Sequence, residues 1–123
     1  MRSITVLSTL AACGLAILAA TAAASLPSVE TKLVISQKGR RFGPADVRIK
    51  INENLYIQND DGDLIHDAYV DSPDFSVETG DISPGETAVI AFPKEGDFLV
   101  LCGVHPSMKL AVHVQSDLRL RSD

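Results

Sequence analysis

The segment DFLVLCGVHPSMKLAVHV, residues 97–114, joins two apolar, strand-like runs through a loop that is rich in possible metal ligands. The second run alternates between two faces as a half-buried β-strand does, and in the first run residues two apart share one face, so both runs are expected to face a core. The residues on the two apolar faces are Phe98, Val100 and Cys102 in the first run and Leu110, Val112 and Val114 in the second. Between the runs, the loop places Cys102, His105 and Met108 three residues apart, so one sulfur, one nitrogen and another sulfur donor come close together in sequence.

The same pattern recurs through the rest of the chain and predicts an all-β protein. Short β-rich runs are separated by turns that contain Gly and Pro, and no segment after residue 24 has a helical period. Further strands are predicted at residues 32–36, 47–51, 55–57, 66–70 and 87–92. About seven to eight short strands at this spacing predict an antiparallel Greek-key β-sandwich or barrel.

The N-terminal segment differs in composition from the rest of the chain. Arg2 is followed by an apolar run over residues 4–20 and by three alanines at residues 22–24. A positive start, an apolar stretch and a small-residue cleavage site are typical of a secretory signal peptide. We therefore predict a signal peptide over residues 1–24 and one domain over residues 25–123. The protein is expected to be exported, to the periplasm if the source is bacterial.

Two alternatives for this N-terminal segment stay open. The apolar run is nearly long enough to span a bilayer, so an uncleaved anchor is one alternative, and it is the only membrane contact expected. Residues 10–13, Leu-Ala-Ala-Cys, resemble a lipoprotein cleavage box, although the apolar run continues well beyond Cys13.

Charge and cysteine content narrow the function classes. The chain of 123 residues has a formal net charge of −5 and no basic patch, so nucleic acid is not an expected partner. Cleavage after residue 24 would also remove Cys13 and leave Cys102 alone, which excludes an intramolecular disulfide. A single thiol in an exported protein needs an explanation, and burial as a metal ligand provides one.

The donor types favour copper. A thiolate with an imidazole suits copper, a thioether strengthens that preference, and methionine is a poor zinc ligand. Two further histidines are available after the signal segment. His113 is out of phase with its apolar neighbours and is predicted to face solvent, whereas His66 is in phase with Ala68 and Val70 and can face inward. Two His, one Cys and a weak axial Met form the blue-copper arrangement, which predicts a metal site of His66, Cys102, His105 and Met108.

The loop Cys-x2-His-x2-Met, with Pro106 after the His, closely resembles the copper loop of the cupredoxins, the type 1 blue copper proteins. Its short spacing is most similar to the plastocyanin and amicyanin-like branch. Other segments resemble the family in the family's order, and the resemblance extends from about residue 32 to residue 114. These segments are residues 42–44 (Phe-Gly-Pro), 58–60 (Gln-Asn-Asp), 83–87 (Ser-Pro-Gly-Glu-Thr) and 92–96 (Phe-Pro-Lys-Glu-Gly).

Two positions depart from the pattern of this family. Asp67 stands where cupredoxins often have an Asn that ties the two ligand loops together, and Gly103 follows the Cys where a polar residue is common. Both positions neighbour predicted ligands, and groups around the ligands orient them and tune the potential. An ionised Asp67 is expected to favour Cu(II) and lower the potential.

The resemblance implies a cofactor, a function and a class of partner. It implies one copper ion that cycles between Cu(I) and Cu(II), in an electron carrier that is not itself an enzyme. Redox proteins such as a dehydrogenase, a cytochrome or an oxidase would dock near His105 and Pro106, on an apolar patch that also includes Leu64, Ile65 and Val104. The protein is expected to be a monomer.

Other interpretations remain. The first alternative is a periplasmic copper-binding protein for delivery, storage or sensing, although such proteins tend to have open Met-rich or His-rich sites. A multicopper enzyme and a metal-free interaction module are less favoured. Taken singly, Cys102 is typical of an ordinary buried cysteine, Met108 of a core-filling residue and His66 of a strand histidine with its hydrogen bonds satisfied. The acidic loop at residues 59–63 lacks the spaced ligands of a calcium loop and is predicted to be a solvated turn.

Overall fold

The computed structural model describes residues 13–27 and 31–116. Residues 13–27 are exposed and contain no helix or strand, and everything from residue 33 to residue 115 is built from strands and their connections. Within the described ranges, no helix has the length and apolar character needed to cross a membrane. Half of the predicted signal peptide, residues 1–12, lies outside the described residues, as do residues 28–30 and 117–123, so the signal peptide stays a prediction.

Nine strands form the domain. They are β1 (Leu33–Gln37), β2 (Phe42–Gly43), β3 (Asp46–Lys50), β4 (Asn54–Asn59), β5 (Tyr69–Asp71), β6 (Ser76–Glu78), β7 (Thr87–Ala91), β8 (Gly96–Leu101) and β9 (Lys109–Gln115). The predicted all-β class is confirmed. The count exceeds seven to eight because β2 and β6 are very short strands, which sequence periodicity does not resolve.

The strands form two sheets, with the order β2-β1-β4-β7 in one and β3-β9-β8-β5-β6 in the other. Both sheets are mixed rather than purely antiparallel. β1 pairs with β4 in parallel, and β3 pairs with β9 in parallel, while the remaining pairs are antiparallel. Parallel neighbours need a long crossover, and here the chain leaves one sheet for the other before it returns. Strand phase alone does not reveal such a crossover.

The core lies between the two sheets and contains the residues that alternation predicts. Phe98, Val100 and Cys102 are buried on β8 and just beyond it, and the predicted faces of β3, β4 and β9 are buried as well. Phe75, Phe92 and Phe98 pack with ring centroids 4.9–5.7 Å apart, two of the three pairs edge to face. Such ring pairs add to the stability that their buried area provides.

The segment around His66 differs from the predicted strand at residues 66–70. Regular pairing begins only at Tyr69, and His66 forms an isolated bridge with Ile82, in which each residue donates its N–H to the carbonyl of the other. The imidazole nevertheless faces inward, in phase with Ala68 and Val70, and is 0% exposed. The prediction of the side-chain direction is therefore confirmed.

His113 lies on the outer side of the five-stranded sheet, as its phase predicts, but it is paired with carboxylates. Its Nδ1 lies 2.6 Å from Asp97 Oδ1 on β8, and its Nε2 lies 3.1 Å from Asp46 Oδ2 on β3. The Asp97 carboxylate, followed by that of Asp46, raises the pKa of His113 above its ordinary value. The protonated ring thus links three neighbouring strands.

The pairing of His113 with Asp97 and Asp46 predicts a pH-dependent contribution to stability. Because the folded-state pKa of His113 is raised, its contribution is fully present below the unfolded-state pKa near 6.5 and is lost as pH rises through the folded pKa. His113→Gln should therefore lower the free energy of unfolding in mildly acidic buffer, by no more than about 1 kcal/mol for an exposed pair. Denaturant titrations at several pH values should show the difference from wild type shrinking as pH rises. If the difference in the free energy of unfolding between wild type and His113→Gln grew with pH, the stabilising role of the protonated His113 would be contradicted.

Candidate metal centre

The Cys102 thiol is brought inward by the phase of β8. Cys102 follows the last residue of that strand and is 1% exposed. After it the chain turns through Gly103 and Val104 to His105, which is half-buried, and the Met108 N–H donates to the His105 carbonyl at 2.9 Å. This hydrogen bond closes the loop over Pro106 and Ser107 so that β9 can begin at Lys109. One loop therefore supplies an inward thiol and an imidazole near the surface.

Three of the four predicted ligands meet at one place. His66 Nδ1 lies 3.1 Å from His105 Nδ1 and 3.9 Å from Cys102 Sγ, and the thiol lies 4.0 Å from His105 Nδ1. His, Cys, Asp and Glu are the side chains that most often bind metals. Within the described part of the chain, these three residues form the one group of three or more such side chains that could hold a metal ion. The structure thus joins residues that are 36 and 39 positions apart in sequence.

The three donor atoms, two Nδ1 and one Sγ, form a triangle whose size fits a metal ion. A point about 2.2 Å from all three donor atoms lies within it, and bonds from a metal to imidazole nitrogen and thiolate sulfur are about 2.0–2.3 Å long. Two nitrogens and one sulfur in a trigonal set match the strong ligands of a type 1 copper site. The donor set therefore fits copper by both chemistry and size.

Met108 completes the predicted set and lies in the core. It is 1% exposed, at the end of the loop and directly before β9. The hydrogen bond from its backbone N–H to the His105 carbonyl fixes its backbone next to a member of the cluster. The assignment of its thioether as the weak axial ligand stays a prediction.

The His66 imidazole is held from the side opposite the cluster. Its Nε2 lies 2.6 Å from Asp61 Oδ2. Asp61 also accepts the Gly39 N–H at 2.9 Å through its other oxygen. The Gly39 N–H and then the His66 ring hold the pKa of the Asp61 carboxyl below its ordinary value.

Sequence reasoning missed this support, because the acidic loop was interpreted as a solvated turn. Asn59, 0% exposed, anchors the loop by donating its amide hydrogens to the carbonyls of Leu64 and Ile82, both at 2.7 Å. Gln37, also 0% exposed, donates to the Asp67 carbonyl at 3.0 Å. A signal was available: Asn59 is in phase with the buried residues of β4, and a polar residue on a core face requires hydrogen-bond partners.

The two departures from the family pattern form a single contact. Asp67 Oδ1 accepts the Gly103 N–H at 2.5 Å, which ties the His66 loop to the Cys102 loop. A Cβ atom at position 103 would lie 2.9 Å from Asp67 Oδ2. The absence of a side chain at Gly103 therefore leaves room for the carboxylate that takes the place of the amide.

Comparison with known proteins supports the fold. No family model and no curated protein matches the chain. Among solved structures, a copper-containing nitrite reductase from Thermus scotoductus SA-01 superposes on 72% of this chain with 27% identity and a TM-score of 0.62. The match spans 23% of the reductase chain, so this chain corresponds to less than a quarter of that protein.

Amicyanins match over most of their own length. An oxidised proline-to-glycine mutant shares 12% identity, with 72% of this chain and 87% of that chain covered at a TM-score of 0.64. A methionine-to-alanine mutant in the Cu(I) state shares 13% identity, with 68% and 82% covered at a TM-score of 0.63. These matches confirm the predicted cupredoxin fold.

The contact between Asp67 and Gly103 predicts that substitution by alanine costs more stability at Gly103 than at another exposed glycine, Gly62. Gly103→Ala should lower the free energy of unfolding by about 1–2 kcal/mol, because the new methyl group displaces a carboxylate that is held by a hydrogen bond. Gly62→Ala is the matched control, since a Cβ there meets nothing within 4 Å and the backbone is unstrained. Chemical denaturation measures both changes, and equal costs at the two positions would refute the contact.

Proposed function

We propose that this chain, which has the cupredoxin fold, is a small exported electron carrier whose single copper ion cycles between Cu(I) and Cu(II). His66, Cys102 and His105 would be the strong ligands, and Met108 the weak axial one. The observation that carries the proposal is the triangle of two Nδ1 atoms and one Sγ atom with sides of 3.1, 3.9 and 4.0 Å.

The protein's part in this function is to hold one geometry. His66 and Cys102 are almost fully buried, and each loop is fixed to its neighbour by hydrogen bonds. When bound, copper supplies the one-electron couple, and the thiolate provides the electronic coupling. Because the ligands are held in advance by the fold, little of the protein needs to rearrange when an electron arrives.

The surface beside His105 supports docking of a redox partner. Val104 and Ile65 are 48% and 47% exposed, and Pro106 is exposed as well. His105 is the one half-buried member of the cluster, so its ring is the part of the site that reaches the protein surface, next in sequence to Val104 and Pro106. A small apolar patch suits the brief, low-area encounters of electron-transfer proteins.

The match to part of a copper-containing nitrite reductase favours a second candidate. In that candidate, the domain carries electrons for an associated enzyme rather than between freely diffusing partners. Copper delivery, storage or sensing is the remaining alternative. It is disfavoured by a buried site with a single thioether, since soft, open Met-rich sites suit transfer of Cu(I).

Copper titration tests the proposal directly. Addition of Cu(II) to metal-free protein should produce an intense blue or green thiolate-to-copper band that saturates at one equivalent. Cys102→Ala should abolish the band, because the thiolate is the source of the transition. His113→Gln is the control, since His113 lies in the folded domain but outside the cluster, paired with Asp97 and Asp46. Absence of the band from the wild type, or its loss in His113→Gln, would refute the proposed site.

Voltammetry of the copper-loaded protein distinguishes an electron carrier from a copper-delivery protein. A reversible one-electron wave is expected of an electron carrier. Tight Cu(I) binding combined with sluggish, irreversible electron transfer would instead support copper delivery.

A further inference from the structure

Both ring nitrogens of His66 have specific neighbours. Nε2 lies 2.6 Å from Asp61 Oδ2, while Nδ1 faces the cluster, 3.9 Å from Cys102 Sγ and 3.1 Å from His105 Nδ1. The imidazole is 0% exposed, and the Asp61 side chain is 12% exposed. Water therefore has little access to either end of this pair.

An ionised carboxylate can only accept hydrogen bonds, so the ring nitrogen that faces it must carry the proton. We propose that Asp61 positions His66 by keeping its proton on Nε2, so that the Nδ1 lone pair is turned toward the metal site before any metal binds. The role of this lone pair rests on the proposed function, whereas the position of the proton does not. Asp61 is thus a positioning residue that acts through His66 and does not touch the metal.

Asp61 is itself held on both sides. Its Oδ1 accepts the Gly39 N–H at 2.9 Å, and its own N–H donates to Asn59 Oδ1 at 3.0 Å. Gly39 and Arg40 both have positive φ, of 62° and 55°, which is uncommon for an arginine. Turns of this kind direct backbone N–H groups toward an anion, and unusual backbone conformations concentrate at functional sites.

The two histidines of the cluster differ in this respect. His105 is half-buried, and the hydrogen-bond contacts of its ring within the described ranges are made through Nδ1, to His66 and Cys102. Its tautomer and ring angle therefore depend on its own loop and on the other members of the cluster. Support by a carboxylate is therefore specific to His66, and a carboxylate behind a metal-bound imidazole also makes that imidazole a stronger donor. The expected consequence is preferential stabilisation of Cu(II).

Substitution of Asp61 by asparagine changes the group that faces His66 Nε2. In Asp61→Asn, the side chain has one oxygen, which the Gly39 N–H requires, so the amide group is left to face Nε2. The amide donates, and the His66 proton should then move to Nδ1. Asp63→Asn is the matched control, because Asp63 lies in the same loop, is exposed and makes the same change of charge.

Nitrogen-15 NMR of the metal-free protein at pH 8 reads the tautomer of His66 without any copper chemistry. The wild type and Asp63→Asn should show protonated Nε2, and Asp61→Asn should show at least a tenfold larger Nδ1–H population. Asp61→Ala provides a second variant, in which a mixture of tautomers is expected. An unchanged His66 tautomer in both Asp61 variants, with native spectra elsewhere, would overturn the proposal.

The potential of the copper-loaded protein gives the second readout. Asp61→Asn should shift the ratio of Cu(II) to Cu(I) affinity toward Cu(I) at least tenfold relative to Asp63→Asn, which is a rise of 59 mV for one electron. Equal potentials in the two variants would overturn the part of the proposal that concerns the metal. If the tautomer changes as expected but no copper band forms in the wild type, the proposed function fails and the positioning of His66 stands.

Discussion

The burial of His66 is the constraint on which the rest of the site depends. An imidazole with no exposed surface loses its hydrogen bonds to water, and each unpartnered polar group costs about 1–3 kcal/mol. Asp61 takes one nitrogen, and the cluster of Cys102 and His105 surrounds the other. The acidic loop, the turn at Gly39 and the buried Asn59 follow from that need, since each helps to hold the carboxylate in place.

The strand phases and the spacing of the metal loop could be predicted from the sequence because both are local. Alternation along β8 places Cys102 inward, and the same argument for His66 holds even though the residue lies outside a regular strand. The parallel pairs could not be predicted, because pairing across the two sheets depends on where the chain crosses over. Asp61 was missed for a related reason: its charge and loop position suggest solvent, and only the folded chain shows that His66 lies behind it.

The two differences from the cupredoxin pattern are explained together in three dimensions. Taken singly, each is a change beside a predicted ligand, and Asp67 suggests a lowered potential. In the structure, the glycine N–H donates to the aspartate, and the missing side chain gives the carboxylate its room. Two carboxylates therefore lie immediately behind the cluster, one beside His66 and one beside Cys102. Negative charge close to a bound copper ion would favour Cu(II) over Cu(I), so Asp61 and Asp67 are expected to act on the potential in the same direction.

X-ray absorption at the copper edge is the most direct measurement of the central claim that His66, Cys102 and His105 bind one copper ion. The expected result for the oxidised protein is two nitrogen ligands at about 2.0 Å and one sulfur ligand at about 2.2 Å, with a sulfur at longer distance if Met108 is axial. A shell of nitrogen and oxygen ligands without a short bond to sulfur would contradict the claim.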